Sequence, residues 1–525
     1  YLFGKNGEAP NDSILYKNLN IHYYDKLQVR PNMLYRWMNY QQFVRSKQMR
    51  ASNRTRLYSQ YRQEQVQEKL SQLGIFSYMD MQYAPRDTTA ACDTLDVTMQ
   101  ATFAKPLDAE LELNVVTKSN DQTGPGASFG VTRNNVFGGG ESWNVKLKGS
   151  YEWQTGGGEK SSLMNSWEMG LSTSLTFPRV VFPHLGKREF DFPATTTFRL
   201  YINQLNRAKY YKLLSFGGNA TYDFQPSRTS RHSITPFKLT FNVLQHQSED
   251  FKEIAEANPA LYVSLRNQFI PAMEYTYTYD NASGRRIKNP IWWQSTVTSA
   301  GNITSLIYRA FGKPFNEEDK SLLGAPFAQF VKLNTELRHL WNIDKNNAIA
   351  SRMAVGALFT YGNATIAPYS EQFYVGGANS IRAFTVRSVG PGGYHPEEGK
   401  YSYLDQTGTF RFEANVEYRF RIFKSFWGAT FLDAGNVWLL RKDRKLLADG
   451  KEARPNSQLR LKTFPKQIAL GTGVGIRYDM DILVFRLDFG IPLHLPYDTD
   501  RSGYYNVTGA FFKNLGIHFA IGYPF

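Results

Sequence analysis

The clearest alternation of apolar and polar positions lies at the end of the chain. Between residues 515 and 525 every second residue is apolar, and the residues between them are small residues, histidine or proline. The apolar set is Leu515, Ile517, Phe519, Ile521, Tyr523 and Phe525. A period of two predicts a β-strand. In water the apolar face must be covered by a core, whereas in a bilayer it meets lipid directly.

A second strand pattern, over residues 409–422, has one apolar and one polar face. The apolar face is Phe410, Phe412, Ala414, Val416, Tyr418, Phe420 and Ile422. The polar face is Arg411, Glu413, Asn415, Glu417, Arg419 and Arg421. A strand with these two faces borders a polar interior, which is typical of a membrane barrel.

Strand patterns recur from about residue 106 to residue 525. They number about sixteen, an even number as in bacterial single-chain barrels. Short connections, such as 344–347 and 424–425, alternate with long ones, such as 362–408 and 440–467. Short turns at one end and long loops at the other are typical of outer-membrane barrels. We therefore predict a mostly β fold, an antiparallel transmembrane β-barrel of about 16 strands over residues 106–525.

Residues 1–105 have a different pattern, which predicts a small α/β domain. A strand at 19–24 precedes a helix that begins at Pro31, and a second helix over 61–73 ends before Gly74. Two alternating strands follow at 75–83 and 95–103. The basic stretch 45–62 has no acidic residue before Arg62, and it is either a solvated face or a docking surface for an acidic partner.

Composition and motifs argue against an enzyme. The chain has no Gly-x-Ser-x-Gly, His-Glu-x-x-His or Cys-x-x-Cys motif, and the triple glycine at 138–140 is followed by neither a lysine-serine pair nor a helix. The single cysteine, Cys92, excludes an intramolecular disulfide, and we expect no metal and no cofactor. A net charge of +15 favours an acidic partner. Because no nucleic-acid-binding motif occurs, we expect anionic lipid headgroups or an acidic protein, and no nucleic acid.

The least regular segment of the barrel region is Phe373 to Tyr394, with glycines at 376, 377, 390, 392 and 393. Glycine pairs of this kind permit tight turns. Between them, residues 380–384 are expected to form a short hairpin-like tongue. The segment is either a mobile surface loop or a functional loop.

Several segments resemble the BamA/TamA family of outer-membrane assembly proteins. The tongue residues that match the family's lumenal loop motif are Gly376, Gly377, Ser380, Ile381, Arg382, Ala383 and Phe384, with alanine at 383 where glycine is usual. A second signature is Phe431-x-Asp433-x-Gly435, and a third candidate is Glu417. The segments LSQLGIFSYMDMQY and TLDVTMQATF resemble the family's last POTRA domain, and we expect residues 1–105 to be the last of a longer series. The amino-acid sequence around Arg382 is most similar to the TamA-like (TamL) branch of Bacteroidetes-type bacteria.

This resemblance implies both a site and a function. The arginine of the loop 362–408 would reach into the lumen and pair with acidic residues on two strands, so that Glu417, Asp433 and Gly435 are its candidate partners. A lateral gate would lie between strands 107–117 and 515–525. The chain would be an outer-membrane insertase of the translocation and assembly module type, with its N-terminal domain in the periplasm. The alternatives are a BamA-like core of the barrel assembly machinery, a two-partner secretion pore and a porin-type transporter.

The same resemblance implies three kinds of partner. These are outer-membrane lipids with lipopolysaccharide, unfolded β-barrel client proteins, and an inner-membrane-anchored, periplasm-spanning (TamB-like) protein.

Overall fold

The computed structural model describes most of the chain. The described residues are 1–38, 60–87, 89, 92, 95–117, 122–154, 166–181, 194–207, 211–249, 252, 267–283, 287–312, 314–315, 321–322, 325–362, 367–396, 406–442, 452, 454–480 and 483–525. Residues 45–59 of the basic stretch lie outside this set, as do parts of the long connections.

The N-terminal residues form a small mixed sheet with two helices. Its elements are β1 (Leu2–Phe3), β2 (Asp12–Tyr16), β3 (Leu19–Tyr23), α1 (Pro31–Met38), α2 (Gln60–Gln72), β4 (Phe76–Pro85) and β5 (Leu95–Phe103). The strand order is β2-β3-β1-β5-β4. Leu34 and Leu70 of the helices pack with Ala101 of β5 in a separate apolar core. The sequence patterns did not predict β1, because a two-residue strand is too short to show a period.

The described residues from 107 onward contain the predicted sixteen-stranded antiparallel sheet. Its first eight strands are β6 (Leu107–Thr117), β7 (Gln122–Asn134), β8 (Ser142–Gln154), β9 (Ser166–Phe177), β10 (Ala194–Arg207), β11 (Tyr211–Phe224), β12 (Ser230–Gln247) and β13 (Gln268–Asp280). The others are β14 (Ile291–Ala300), β17 (Phe330–Asn342), β18 (Asn347–Thr360), β19 (Phe410–Phe423), β20 (Phe426–Trp438), β21 (Ala469–Asp479), β22 (Val484–His494) and β23 (Gly516–Ile521). The predicted fold class is therefore confirmed.

The long connection after β14 has structure of its own. It contains α3 (Asn302–Ala310) and the two-residue strands β15 (Ser321–Leu322) and β16 (Ala325–Pro326). None of the helices in the described part of the chain is both long and apolar enough to cross a membrane.

The N-terminal unit contacts the barrel at its short-turn end. The backbone N–H of Arg30 donates to the carbonyl of Gly138 at 2.7 Å, and the Asn135 side chain donates to the carbonyl of Gln28 at 2.7 Å. Gly138 has a φ of 79°, as a tight turn requires. The glycine run is thus the turn between β7 and β8, which fixes the N-terminal unit against this end.

The last strand is shorter than predicted. Residues 516–521 pair with β22 in six registered pairs from Gly490↔Gly516 to Phe485↔Ile521, and the N–H of Gly522 adds a 2.7 Å hydrogen bond to the carbonyl of Val484. Gly522 has a φ of 87°, which turns the chain out of the strand direction. The predicted strand from Leu515 to Phe525 begins within one residue of the observed one, and the prediction is wrong at its C-terminal end.

Candidate functional site

The glycine-bracketed segment enters the barrel and turns back within it. Phe373 and Gly408 exchange two backbone hydrogen bonds of 2.9 Å, which close the base of the loop. Gly376 has a φ of 100°, and a Cβ there would lie 2.1 Å from the carbonyl oxygen of Thr385. The N–H of Gly377 donates to the carbonyl of Phe384 at 2.7 Å. The segment is thus a tight tongue formed by turns, held by side chains rather than by a strand ladder.

Ser380 fixes the tip of this tongue. Its hydroxyl accepts the N–H of Gly376 at 3.0 Å and donates to Glu413 Oε2 on β19 at 2.6 Å. Its carbonyl accepts a 2.8 Å hydrogen bond from Asn415, also on β19. The tip is therefore tied to one strand by both its side chain and its backbone.

Arg382 is completely buried and binds two carboxylates on the barrel wall. Its Nε donates to Asp433 Oδ2 at 2.8 Å, its Nη2 to Asp433 Oδ1 at 2.9 Å, and its Nη1 to Glu417 Oε2. Its backbone N–H adds a 3.0 Å bond to Asp433 Oδ2. The guanidinium carbon also lies 3.5 Å from the centre of the Phe431 ring. This bidentate contact matches the fork of donors that only arginine offers. We call Arg382, Glu417 and Asp433 the arginine clasp.

The arginine clasp is part of a larger buried group of charges from the tongue and four neighbouring strands. We call this group the lumenal cluster: Arg382, Glu417, Arg419, Asp433, Arg477, Arg486 and Asp488. Glu417 also contacts Arg419 Nε at 2.8 Å and Arg477 Nη2 at 3.0 Å. Arg477 Nη1 lies 2.6 Å from Asp488 Oδ1. Glu417 thus has three arginine partners. Among the described residues, Asp433 is paired with one arginine, Arg382.

Four arginines face three carboxylates in the lumenal cluster, so positive charge is in excess. Within the described residues, Nε of Arg477 and both Nε and Nη1 of Arg486 have no hydrogen-bond acceptor. Burial by itself lowers the pKa of the Arg382 guanidinium. Asp433, Glu417 and Asp488 outweigh that effect and raise its pKa above the ordinary value, so Arg382 stays charged.

The apolar residues of the tongue pack against the barrel wall. Ile381, Ala383 and Phe384 are buried in an apolar cluster that includes Leu358 and Ala469. Ala383 lies against Gly471 of β21, where a Cβ would come within 2.3 Å of the Ala383 Cβ. The departure from the family's usual glycine is therefore accommodated, because the wall supplies the glycine instead.

Gly435 differs from the other two candidate partners of Arg382. It pairs with Glu413 across the β19–β20 ladder, and a Cβ there would lie 2.5 Å from the Phe412 carbonyl oxygen. Among the described residues the hydrogen bonds of Arg382 go to Glu417 and Asp433 instead. Gly435 therefore permits close strand packing rather than binding the arginine.

The last strand contacts the tongue through a residue that sequence analysis did not select. His518 Nε2 lies 2.7 Å from the carbonyl oxygen of Arg382. On the opposite face Ile517, Phe519 and Ile521 are 60%, 66% and 60% exposed, as the alternation predicts.

Tyr523 and Phe525 do not continue that exposed apolar face. Arg419, on the polar face of β19, lies 4.2 Å from the centre of the Tyr523 ring and donates to the Phe525 carbonyl at 3.3 Å. The prediction that these aromatics share the outer face with Ile521 is therefore wrong. The turn at Gly522 redirects them toward an inward-facing guanidinium, which attracts aromatic rings.

The other residues of the lumenal cluster could have been found from alternation. Arg486 and Asp488 stand at every second position between the apolar residues Phe485, Leu487 and Phe489. That pattern indicates a lumenal face but does not reveal which strands bring the charges together, because register is not local information.

Comparison with known proteins gives one family and several similar structures. Residues 135–525 match the Omp85 superfamily domain. The chain is similar to BamA from Haemophilus ducreyi lacking POTRA domains 1–3, with 12% identity, a TM-score of 0.57 and coverage of 98% of this chain and 89% of that one. It is also similar to CdiB from Acinetobacter baumannii, with 12% identity, a TM-score of 0.46 and coverage of 84% and 66%. CdiB from Escherichia coli gives 12% identity, a TM-score of 0.41 and coverage of 87% and 70%.

The family model covers more than half of the chain, including all but the first two strands of the barrel. The likeness to the BamA structure extends over nearly the whole chain and concerns the fold. The sixteen-stranded sheet agrees with both findings. The chain belongs to the Omp85 superfamily of outer-membrane β-barrels, whose members act in protein assembly or secretion.

Proposed function

We propose that this protein is an insertase of the translocation and assembly module type, which inserts β-barrel or envelope proteins through a lateral gate between β6 and β23. The proposal needs no bond-making chemistry. The client's unpaired strand would add to the edge of β6, where backbone hydrogen bonds supply affinity with little regard for sequence.

The observation that carries the proposal is the unequal pairing at the two edges of the sheet. β6 forms eleven registered pairs with β7, whereas β23 forms six with β22. β6 and β23 are the two ends of the strand order, with no ladder between them among the described residues. A long, unpaired strand edge is a template for another strand. Among the described residues, the edge of β6 is therefore open to a client strand.

The arginine clasp supports a gated barrel rather than an open pore. The tongue occupies the lumen, and its arginine is buried against the wall formed by β19 and β20. A porin that passes solutes needs neither this tongue nor an N-terminal domain. We propose that the N-terminal unit is a POTRA-like domain in the periplasm, since it contacts the short-turn end of the barrel.

A disulfide across the seam tests the gate. We expect Leu111→Cys with Phe519→Cys, in a Cys92→Ser background, to stop client insertion in proteoliposomes while the barrel stays folded, and a reductant to restore it. Leu113→Cys replaces Leu111→Cys if the register of the seam requires it. Full activity of the oxidised protein would refute lateral opening.

The matched control is a disulfide on the other side of the same strand. Leu487 pairs with Phe519 across the β22–β23 ladder. Cross-linking Leu487→Cys to Phe519→Cys leaves the seam free, so this variant should insert clients normally. Loss of activity in both variants would mean that β23 tolerates no cross-link, and the seam result would then not support a gate.

Conductance and co-purification separate the remaining alternatives. A porin or secretion pore predicts large, steady openings, whereas a tongue-filled barrel predicts small and erratic ones.

Purification from native membranes with a large periplasm-spanning, TamB-like protein would support the TamL assignment. Recovery with small lipoproteins instead would favour a BamA-like core of the barrel assembly machinery.

A further inference from the structure

α3 buries two small polar residues and exposes its large apolar ones. Thr304 is 8% exposed and Ser305 is fully buried, whereas Leu306 is 62%, Ile307 51% and Phe311, directly after the helix, 83% exposed. A helix on a water-covered surface has the opposite arrangement. An exposed apolar helix face of this kind marks a membrane or protein interaction site.

The orientation of α3 is set by contacts on its polar side. Gly301, with a φ of 69°, turns the chain directly after β14, and a Cβ there would lie 2.5 Å from the Ala328 carbonyl oxygen. Asn302 donates to Ser299 Oγ at 2.7 Å and accepts from the Tyr361 hydroxyl at 2.8 Å. These contacts hold the helix to the long-loop end of the barrel with its apolar side outward.

The apolar side continues the outer surface of the barrel. α3 begins two residues after the last residue of β14, and the neighbouring strands carry exposed apolar residues at the same end and below it. Phe359 near the end of β18 is 51% exposed, Leu333 of β17 is 40% and Val297 of β14 is 39%. In an outer-membrane barrel these outward residues meet acyl chains.

Arg309 has the position expected of a lipid-headgroup contact. At 100° per residue it lies between the direction of buried Ser305 and that of exposed Leu306, and it is itself exposed. A basic residue at the border of an apolar helix face places its charge at the headgroup level while its stem lies along apolar surface.

We propose that α3 is an interfacial helix, which lies in the outer leaflet with Ile303, Leu306, Ile307 and Phe311 among the acyl chains and Arg309 at the headgroup phosphates. The occupant of the exposed face is the lipid surface itself. The helix thereby anchors the long connection between β14 and β17 to the membrane. This inference concerns a surface away from the gate, so it stands whether or not the barrel inserts clients.

Fluorescence quenching by brominated lipids tests the proposal. Leu306→Cys and Phe311→Cys, each in a Cys92→Ser background and labelled with bimane, are reconstituted in phosphatidylcholine–phosphatidylglycerol vesicles. An interfacial helix buries its apolar face roughly 5–10 Å into the headgroup–acyl boundary. Lipids brominated near the headgroup should therefore quench both labels more than lipids brominated near the chain end.

Two control positions give the quenching expected of a label deep among the acyl chains and of a label in water. Leu337→Cys, outward and 43% exposed in the middle of β17, should show the reverse order, with stronger quenching near the chain end. Leu15→Cys, 74% exposed on the N-terminal sheet, should not be quenched. Labels on α3 that behave like the Leu15 label would overturn the proposal. So would labels unquenched in these vesicles but shielded in native membranes, since that result would indicate a protein partner.

Discussion

Removing the guanidinium of Arg382 is expected to destabilise the barrel, and the structure indicates how the loss divides between its two partners. In Arg382→Ala, Asp433 keeps two neutral donors, the Asn415 amide at 2.9 Å and the backbone N–H of residue 382 at 3.0 Å. It loses its charged partner while remaining buried. Glu417 keeps Arg419 and Arg477. The uncompensated carboxylate is therefore Asp433.

The expected magnitude follows from burial and charge balance. Breaking a buried ion pair by removing one partner costs about 3–5 kcal/mol. The lower end applies here, because Arg382→Ala leaves three arginines facing three carboxylates in the lumenal cluster. We expect a coupling free energy of about 2–3 kcal/mol between Arg382 and Asp433 and about 1 kcal/mol between Arg382 and Glu417. Arg382→Lys should recover only part of the loss, because lysine lacks the planar fork.

Double-mutant cycles measure both couplings. The free energy of unfolding is determined in urea for Arg382→Ala, for Asp433→Asn and Glu417→Gln, and for each double variant. Client insertion and antibiotic entry, measured on the same set, report whether the loosened tongue matters in the membrane. Coupling near zero in both cycles would show that the arginine clasp contributes nothing to barrel stability. A larger coupling to Glu417 than to Asp433 would refute the division between the two carboxylates.

Two further predictions concern the barrel wall. Ile517→Lys, on the outward face of β23, should cost about 2–4 kcal/mol of unfolding free energy if it lies near the bilayer midplane. Thr276→Lys on β13, on the same inner face as Glu274 and paired with the uncharged Ser233 and Thr296, should cost clearly less, and equal effects would contradict the facing of these residues. Gly471→Ala should cost about 1–3 kcal/mol through overpacking against Ala383. Ala383→Gly should rescue Gly471→Ala in thermal unfolding, and an additive double variant would place the tongue elsewhere.

Local sequence patterns predicted the barrel because each strand has its own alternation of apolar and polar residues. The strand predicted at 409–422 is observed as Phe410–Phe423, since its alternation is complete and both faces are chemically distinct. The end of the chain shows the limit of the same reasoning. Alternation continues through Tyr523 and Phe525, but the positive φ of Gly522 ends the strand first. Periodicity records which side chains could share a face, and a single backbone angle decides whether they do.

Only the site residues that belong to the family motifs could be predicted from the sequence. Arg382, Glu417 and Asp433 were selected by resemblance, and the structure brings all three together. Arg477 and Asp488 were not selected, although their 2.6 Å contact completes the lumenal cluster. They belong to β21 and β22. Arg477 contacts Glu417 and Asp488 contacts Arg477, and both contacts depend on the register of neighbouring strands. No single-strand pattern contains that information.

The backbone of Arg382 connects the arginine clasp to β23, the strand at the seam with β6. Its side chain binds β19 and β20, while its carbonyl oxygen accepts from His518 of β23. The approach requires glycine at 490, because a Cβ there would lie 2.6 Å from that oxygen, and it is tight at Gly516, where a Cβ would lie 3.1 Å away. One residue of the tongue therefore contacts the fixed wall and the short last strand at once. A displacement of the tongue cannot leave the His518 contact unchanged, so the state of the lumen and the position of the last strand are physically linked.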